Sequence, residues 1–329
     1  MSQPSHRPGR LGVGVISAGR VGAVLGAALR GAGHAVVGVH ASSEASRERA
    51  ATLLPDVPVL DVQSIVERSE LVLLAVPDDQ LPGLVSGLAA TGAWQPGQLV
   101  VHTAGRHGTG VLEPVRAAGG IGLAVHPAMT FTGLSLDLQR LADCSFGVTA
   151  AAPVLPIAQA LVVEMGAEPV VVAEADRPLY HAALAHGSNH VMTVLGESLQ
   201  LLGEIGVEHP DRVLGPLVRA TVDNALASGE NALTGPVARG DVTTVAAHVA
   251  ALRELAGGGA GLAHDAAGPV GSADHDAAGP TGNADHDAAR QLLAGYRALA
   301  RQTARRAAAS GRLDETSYRA VMAAIEEEQ

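Results

Sequence analysis

The chain has 329 residues, 47% of them hydrophobic, and a formal net charge of −11. That length exceeds what one compact core usually holds, so two domains are expected, and the acidic balance argues against a nucleic-acid partner. Trp94, Phe131, Phe146, Tyr180, Tyr296 and Tyr318 are too few aromatics for a base-stacking platform, and the lone Cys144 excludes an internal disulfide framework and suits a reducing, cytoplasmic compartment.

In chain order, residues 1–10 form a polar tail with two prolines and no apolar core of a signal peptide, expected to be disordered. Leu11–Ile16 then reads as a buried strand. Ser17-Ala18-Gly19-Arg20-Val21-Gly22 reads as a tight turn, and a helical run follows to Gly31. This strand–turn–helix is the context of a dinucleotide fingerprint, G-x-G-x-x-G. Backbone N–H groups at the helix start face a pyrophosphate, Gly19 admits close approach, and Gly22 lets the helix pack on the strand. The first glycine is replaced by Ser17, which fits the turn only with a negative φ.

Further strands are expected at Ala35–Val39, Leu71–Val76, Leu99–His102, Ile121–Val125, Ser145–Val148 and Pro169–Val172. Helices are expected between them at Ser43–Leu54, Val62–Arg68, Asp79–Ala90, Val111–Ala118 and Val154–Met165. This alternation predicts an α/β domain over residues 11–173, a doubly wound parallel sheet. From residue 176 the pattern is all-helical to 329, opening with a helix from about Arg177 to Glu204. One face of that helix carries Leu184, Val191, Leu195, Leu199 and Leu202, and the opposite one His186, Asn189, His190, Thr193, Glu197 and Gln200. An 11-residue tandem repeat, His264–Asp274 and His275–Asp285, contains Gly-Pro in each unit. Residues 257–286 therefore read as a disordered insertion, with helices resuming at Asp287–Ala309 and Asp314–Glu328. No apolar run reaches membrane-spanning length, so no membrane partner is expected.

Cofactor choice is read at the end of the second strand, about 20 residues past the fingerprint. The run there, Val39-His-Ala-Ser-Ser-Glu-Ala-Ser-Arg47, has no acid at the strand end to hold ribose hydroxyls. Ser42, Ser43 and Arg47 fit a 2′-phosphate, so NADP is expected over NAD; the plainer role of Ser43 is to cap the next helix. Ala75-Val76-Pro77 and His102-Thr103 follow the third and fourth strands and belong on the cofactor side by the crevice rule. His126 ends the fifth strand and is the candidate proton donor to a carbonyl receiving hydride, titrating near neutrality. Asn189 is the candidate for orienting substrate oxygen. Arg239, in Leu233-Thr-Gly-Pro-Val-Ala-Arg-Gly-Asp241, is the candidate clamp for a substrate carboxylate, and Asp241 is a helix N-cap. His186 and His190 have i,i+4 spacing but no third ligand, so no metal site is expected. All 22 basic residues are arginine, which rules out a lysine acid or Schiff base.

These motifs, with Ser188-Asn189-His190, resemble the Rossmann-like proteins that carry a DUF2520 domain, widespread in actinobacteria, over nearly the whole chain except the tail and the repeat. More distantly the chain is similar to ketopantoate reductases, pyrroline-5-carboxylate reductases and prephenate dehydrogenases. The resemblance implies a Rossmann domain followed by a helical domain that often forms a homodimer, and it suggests a link with pantothenate synthesis. Ketopantoate reductases place Lys-x-x-x-Asn on the first interdomain helix; here Asn189 matches, but the lysine position holds Ala185. Prephenate dehydrogenases place His-Pro where His126-Pro127 stands. The expected function is thus an NADP-dependent oxidoreductase passing hydride to a small carboxylate-bearing carbonyl or imine in the interdomain cleft. The rival reading is a non-catalytic NADP(H) sensor or scaffold.

Overall fold

The computed structural model describes residues 10–257 and 282–327, with the backbone alone for 282–286. Nearly all of the N-terminal tail and the repeat lie outside the described residues. The chain divides into two units, residues 1–190 and 191–329.

The first unit holds seven strands: β1 (Gly12–Ile16), β2 (Ala35–His40), β3 (Leu71–Leu74), β4 (Leu99–His102), β5 (Ile121–Pro127), β6 (Ser145–Thr149) and β7 (Glu168–Val171). Its helices are α1 (Arg20–Gly31), α2 (Glu44–Leu53), α3 (Val62–Arg68), α4 (Leu81–Ala90), α5 (Glu113–Ala117), α6 (Leu136–Arg140) and α7 (Leu155–Glu164). The sheet order is β2-β1-β3-β4-β5-β6-β7. The order of strands across the sheet reverses between the parallel neighbours β1 and β3, and this is the topological switch point, where the connections leave to opposite sides and open a crevice at the carboxyl ends of the strands.

Strand side chains alternate between two cores, as a period of two dictates. Val13, Val15, Leu71, Leu73, Leu123 and Val125 pack with Leu25 and Leu29 of α1 and Leu161 of α7. Val72, Leu74 and Val100 face the other way, against Ile65 of α3, Val85 of α4 and Val115 of α5. The central strands β1, β3 and β4 are buried on both faces, which explains their near-continuous apolar sequence, while the edge strand β7 is largely exposed.

The sheet is not wholly parallel, contrary to the sequence expectation: β6 runs antiparallel to β5, and β7 is parallel to β6. The segment from Ala128 to Cys144 holds only the short α6 and a one-turn helix, with no long crossover helix to return the chain to the starting edge of the sheet. Asp137, fully buried, organises that segment, accepting hydrogen bonds from the Thr132 and Gly133 backbone N–H groups (both 2.8 Å) and the Thr132 hydroxyl (3.0 Å).

α8 (Arg177–Glu204) crosses from the first unit into the second. The second unit continues with α9 (Pro210–Ser228), α10 (Pro236–Arg239), α11 (Val242–Ala256), α12 (Gly282–Ala309) and α13 (Glu315–Glu326). Its core joins Val237, Val245, Ala304, Leu313, Val321 and Ile325. Asp241 caps α11 through the Thr244 N–H at 3.1 Å. α12 begins five residues before the expected Asp287, so the last residues of the second repeat unit are helical.

Candidate active site

Two clefts open at the carboxyl ends of the strands of the first unit. The first, about 340 Å³, is walled by the turn Ser17-Ala18-Gly19 after β1, by His40, Ser42 and Ser43 after β2, by Ser46 and Arg49 of α2, and by Val76 and Pro77 after β3. Ser17 takes a φ of +80°, the left-handed conformation glycine supplies at this point of the fingerprint. The expectation of a negative φ is thus corrected: the turn keeps its shape, and serine bears a strain of about 1–2 kcal/mol. Gly22 shows why. A Cβ there would lie 2.1 Å from the Ser17 carbonyl oxygen and 2.9 Å from Ala75 Cβ, so α1 packs with no room for a side chain. At Gly19 an added Cβ would meet only Ser17 Oγ, at 3.5 Å. No side chain caps the start of α1, so its first backbone N–H groups are left for an anion.

Ser43 caps α2, its hydroxyl accepting from the Ser46 N–H while the Ser46 hydroxyl accepts from the Ser43 N–H. Arg47 does not line the wall: its Nη1 donates to the Ser42 carbonyl at 2.9 Å. The arginine in the wall is Arg49, held by a 2.9 Å hydrogen bond to the Ala18 carbonyl. No carboxylate among the described residues lines this cleft. Arg20, Val21 and Gly22 lie in α1 beside the turn rather than in the wall, and Ala75 lies behind it.

The second cleft, about 240 Å³, is lined by His126, Met129 and Thr130 from the end of β5 and the loop beyond, and by His181, Ala185, Ser188 and Asn189 of α8. It brings together His126 and Asn189, both expected from sequence, and places Ala185 at the lysine position. His181, Tyr180 and Arg177 were not anticipated. A signal for His181 did exist, since residues 181, 185 and 189 are spaced by four and share one helical stripe. The His126 and His181 rings meet edge to face, centroids 5.8 Å apart at 82°. Gly105 sits beneath them, where a Cβ would come within 2.4 Å of the His181 ring and 3.0 Å of His126 Nε2.

Burial first, then the neighbouring His181 and Arg177, push His126 down to about 4. The ring is therefore neutral at pH 7, and the expectation that it titrates near neutrality is corrected: it offers an N–H donor, not an imidazolium. His126 Nδ1 lies 3.1 Å from Tyr180 Oη. Arg177 is fully buried under this pair, its guanidinium bonded to the Ala124 and Gly147 carbonyls (2.9 and 3.0 Å) and to Thr149 Oγ1 (2.7 Å).

His102 and Thr103 line neither cleft. His102 is fully buried; its Nδ1 accepts from the Ala104 N–H at 3.2 Å, and its Nε2 therefore donates to the Gly108 carbonyl at 2.8 Å. Burial pushes it to about 4 as well. It pins the loop after β4, a structural role in place of the expected cofactor contact. Arg239 ends α10 in the second unit, just before Gly240 in the left-handed conformation. His186 and His190 approach through their Nδ1 atoms at 2.7 Å on the exposed side of α8, and no set of three or more His, Cys, Asp or Glu side chains is placed for a metal among the described residues. None of the helices among the described residues is long and apolar enough to cross a membrane.

The seven-stranded, mostly parallel sheet with its glycine turn at the β1–β3 switch point defines a Rossmann-like fold, followed by a helical region. Residues 1–127 match the Rossmann-like domain, and residues 144–265 match the domain of unknown function DUF2520. The chain thus carries a match to each of these two domains, in that order. No curated protein matches it in sequence. Among solved structures, one provisionally described as an NADP oxidoreductase from Bacteroides fragilis superposes with a TM-score of 0.63 at 21% identity, covering 74% of this chain and 92% of that one. An imine reductase from a Pseudomonas species gives 0.52 at 18%, over 74% and 85%. A pyrroline carboxylate reductase from Plasmodium falciparum, solved with NADP bound, gives 0.50 at 13%, over 69% and 86%. At these identities the likeness is one of fold.

Proposed function

We propose that this protein is a nicotinamide-dinucleotide-dependent reductase that prefers NADP and passes hydride to a small carboxylate-bearing carbonyl or imine. The observation that carries the reading is the pairing of two clefts at the carboxyl ends of one sheet. One has the left-handed glycine-type turn, an uncapped helix start and Arg49 with no acid. The other has His126, His181 and Asn189 around a small polar space. The fold shared with an imine reductase and a pyrroline carboxylate reductase supports the same class. When bound, the dinucleotide would supply the hydride. Ser17–Gly19 and the start of α1 would hold its pyrophosphate, and Arg49 with Ser42 and Ser43 its 2′-phosphate.

His126 would donate a hydrogen bond to the substrate oxygen or nitrogen, as a neutral imidazole can when burial keeps it uncharged. Asn189 would orient the same atom. The chain would act as a homodimer in the cytoplasm. α9 supports the dimer: Val213 and Leu217 are exposed on one side, Val222 and Leu226 on the other, and none of its residues is buried. A 19-residue helix apolar on both sides needs partners. The test of the reaction is NADPH oxidation with a panel of 2-oxo acids and cyclic imines. Tight NADPH binding with no turnover on any of them would favour the second reading, a dinucleotide-binding sensor or scaffold, which rests on Ala185 standing in the lysine position.

A further inference from the structure

We propose that Tyr180 and His126 form a two-residue proton relay, in which the Tyr180 hydroxyl restores the proton that His126 gives to the substrate. The inference rests on the reductase reading and deepens it. Its basis is a constellation that the cofactor and substrate contacts do not require.

Tyr180 lies in the first turn of α8 and does not line the substrate cleft. Its hydroxyl instead lies 3.1 Å from His126 Nδ1, on the side of the ring away from Nε2, which lies toward Gly105 and His181. The two rings stand perpendicular, centroids 5.6 Å apart, so the hydroxyl approaches through the imidazole edge. Space for the phenol exists because residue 147, the cross-strand partner of His126, is glycine: a Cβ there would come 2.6 Å from Tyr180 Oη. A glycine inside a strand marks such a close approach.

The phenol oxygen lies close against Gly147, and its hydrogen-bond partner among the described residues is His126 Nδ1. The Arg177 guanidinium lies 5.7 Å from the centre of the Tyr180 ring. It is fully buried, makes no carboxylate ion pair among the described residues, and its Nη1 has no hydrogen-bond partner among them. Glu174 acts on it only from beyond ion-pair distance, and a buried cation without a close carboxylate is costly. Burial pushes the Tyr180 phenol above its ordinary value, and the Arg177 charge beside it works in the opposite direction, favouring a transient phenolate.

The step balances. Hydride from the reduced nicotinamide reaches the substrate carbon, and the C=O or C=N π pair moves to the heteroatom. His126 Nε2–H gives its proton to that atom, and Tyr180 O–H gives its proton to Nδ1. The products are the alcohol or amine, neutral His126 protonated on Nδ1, and Tyr180 phenolate beside Arg177; once product leaves, a solvent proton taken up at His126 Nε2 and return of the Nδ1 proton to Tyr180 restore both groups. No imidazolium is needed, consistent with a ring that stays neutral at pH 7. The charged and titratable groups acting on the pair are His181, Arg177 and Asp78 on His126, and Arg177 and Cys144 on the phenol.

The test uses the full chain in two arms. In the first, ¹⁵N-histidine NMR at pH 7 reads the His126 tautomer, its signals identified by their loss in His126→Asn. The relay requires the proton on Nε2 and a hydrogen-bonded Nδ1 in the parent, with the Nδ1 signal moving to that of a free nitrogen in Tyr180→Phe. A ring protonated on Nδ1 overturns the relay whatever the activity. In the second arm, Tyr180→Phe should lower kcat by roughly 10- to 100-fold with NADPH affinity and KM near parent values. The solvent-deuterium proton inventory should change from curved to linear. Unchanged kcat, or a curved inventory in the variant, overturns the relay. Absence of turnover in the parent itself is a different outcome. It removes the reductase reading, and the NMR arm still decides the pairing.

Discussion

The Ser17 carbonyl and the α-carbon of Gly22 are packed so closely that a methyl group at residue 22 would sit 2.1 Å from the oxygen. This contact fixes the turn from which α1 departs, and it holds Ser17 at a φ that serine rarely adopts. Two substitutions separate the geometry from the residue. Ser17→Gly should raise stability by about 1 kcal/mol and the melting temperature by about 2–4 °C, with dinucleotide binding retained. Gly22→Ala should cost about 1–3 kcal/mol through overpacking and weaken NADPH binding. Calorimetry with a cofactor titration reads both, and a Ser17→Gly variant less stable than the parent would show that the serine side chain contributes a contact of its own.

Arg49, not Arg47, faces the first cleft. Arg49→Ala should weaken NADPH by about 1–3 kcal/mol if the contact is charge-assisted, and NADH much less. Arg47→Ala should leave both affinities near parent values, because its guanidinium is occupied with the Ser42 carbonyl. Equal losses for the two dinucleotides in Arg49→Ala would move the 2′-phosphate contact elsewhere.

His102 and His126 are both pushed to about 4 in the folded chain from 6.5 when unfolded. Between these values the unfolded state binds the proton and the folded state does not. Stability is therefore full above pH 6.5 and falls as pH drops toward 4, by on the order of 3 kcal/mol for the fully buried His102. His102→Gln should flatten this part of the curve while lowering stability at pH 7. Denaturant melts across that range check it; stability constant between pH 6.5 and 4.5 would contradict the burial argument.

Asp137 holds the loop that runs from the second cleft toward Arg49. A Cβ at Gly133, whose N–H it binds, would come 2.7 Å from Arg49 Nε. Asp137→Ala removes the acceptor of two backbone N–H groups and should destabilise the first unit by about 3 kcal/mol. Faster hydrogen exchange at residues 130–136 is the expected signature.

The apolar sides of α9 lead to an expectation for the proposed dimer. Leu217→Glu combined with Leu226→Glu, at 64% and 84% exposure, should shift the protein to monomers in light scattering without loss of α/β secondary structure. A parent that is already monomeric at micromolar concentration would remove the dimer.

The sequence by itself determined the order of strands and helices in the first unit, because apolar periodicity and glycine placement are local properties. It also marked Gly22 as a packing contact and His126 as a strand-end histidine. The tertiary structure decided what depends on neighbours distant in the chain. Local sterics argued for a negative φ at Ser17, but the packing of α1 imposed the opposite sign. The sequence pointed to Arg47; Arg49 lies about 200° from it around α2, and it is Arg49 that lines the cleft. His102 and His126 end adjacent parallel regions of the sheet. The loop after β4 closes over the first, while Gly105, Gly147 and the first turns of α8 leave space around the second for His181 and Tyr180. Those two residues meet His126 across more than 50 positions of chain, a distance no local pattern encodes.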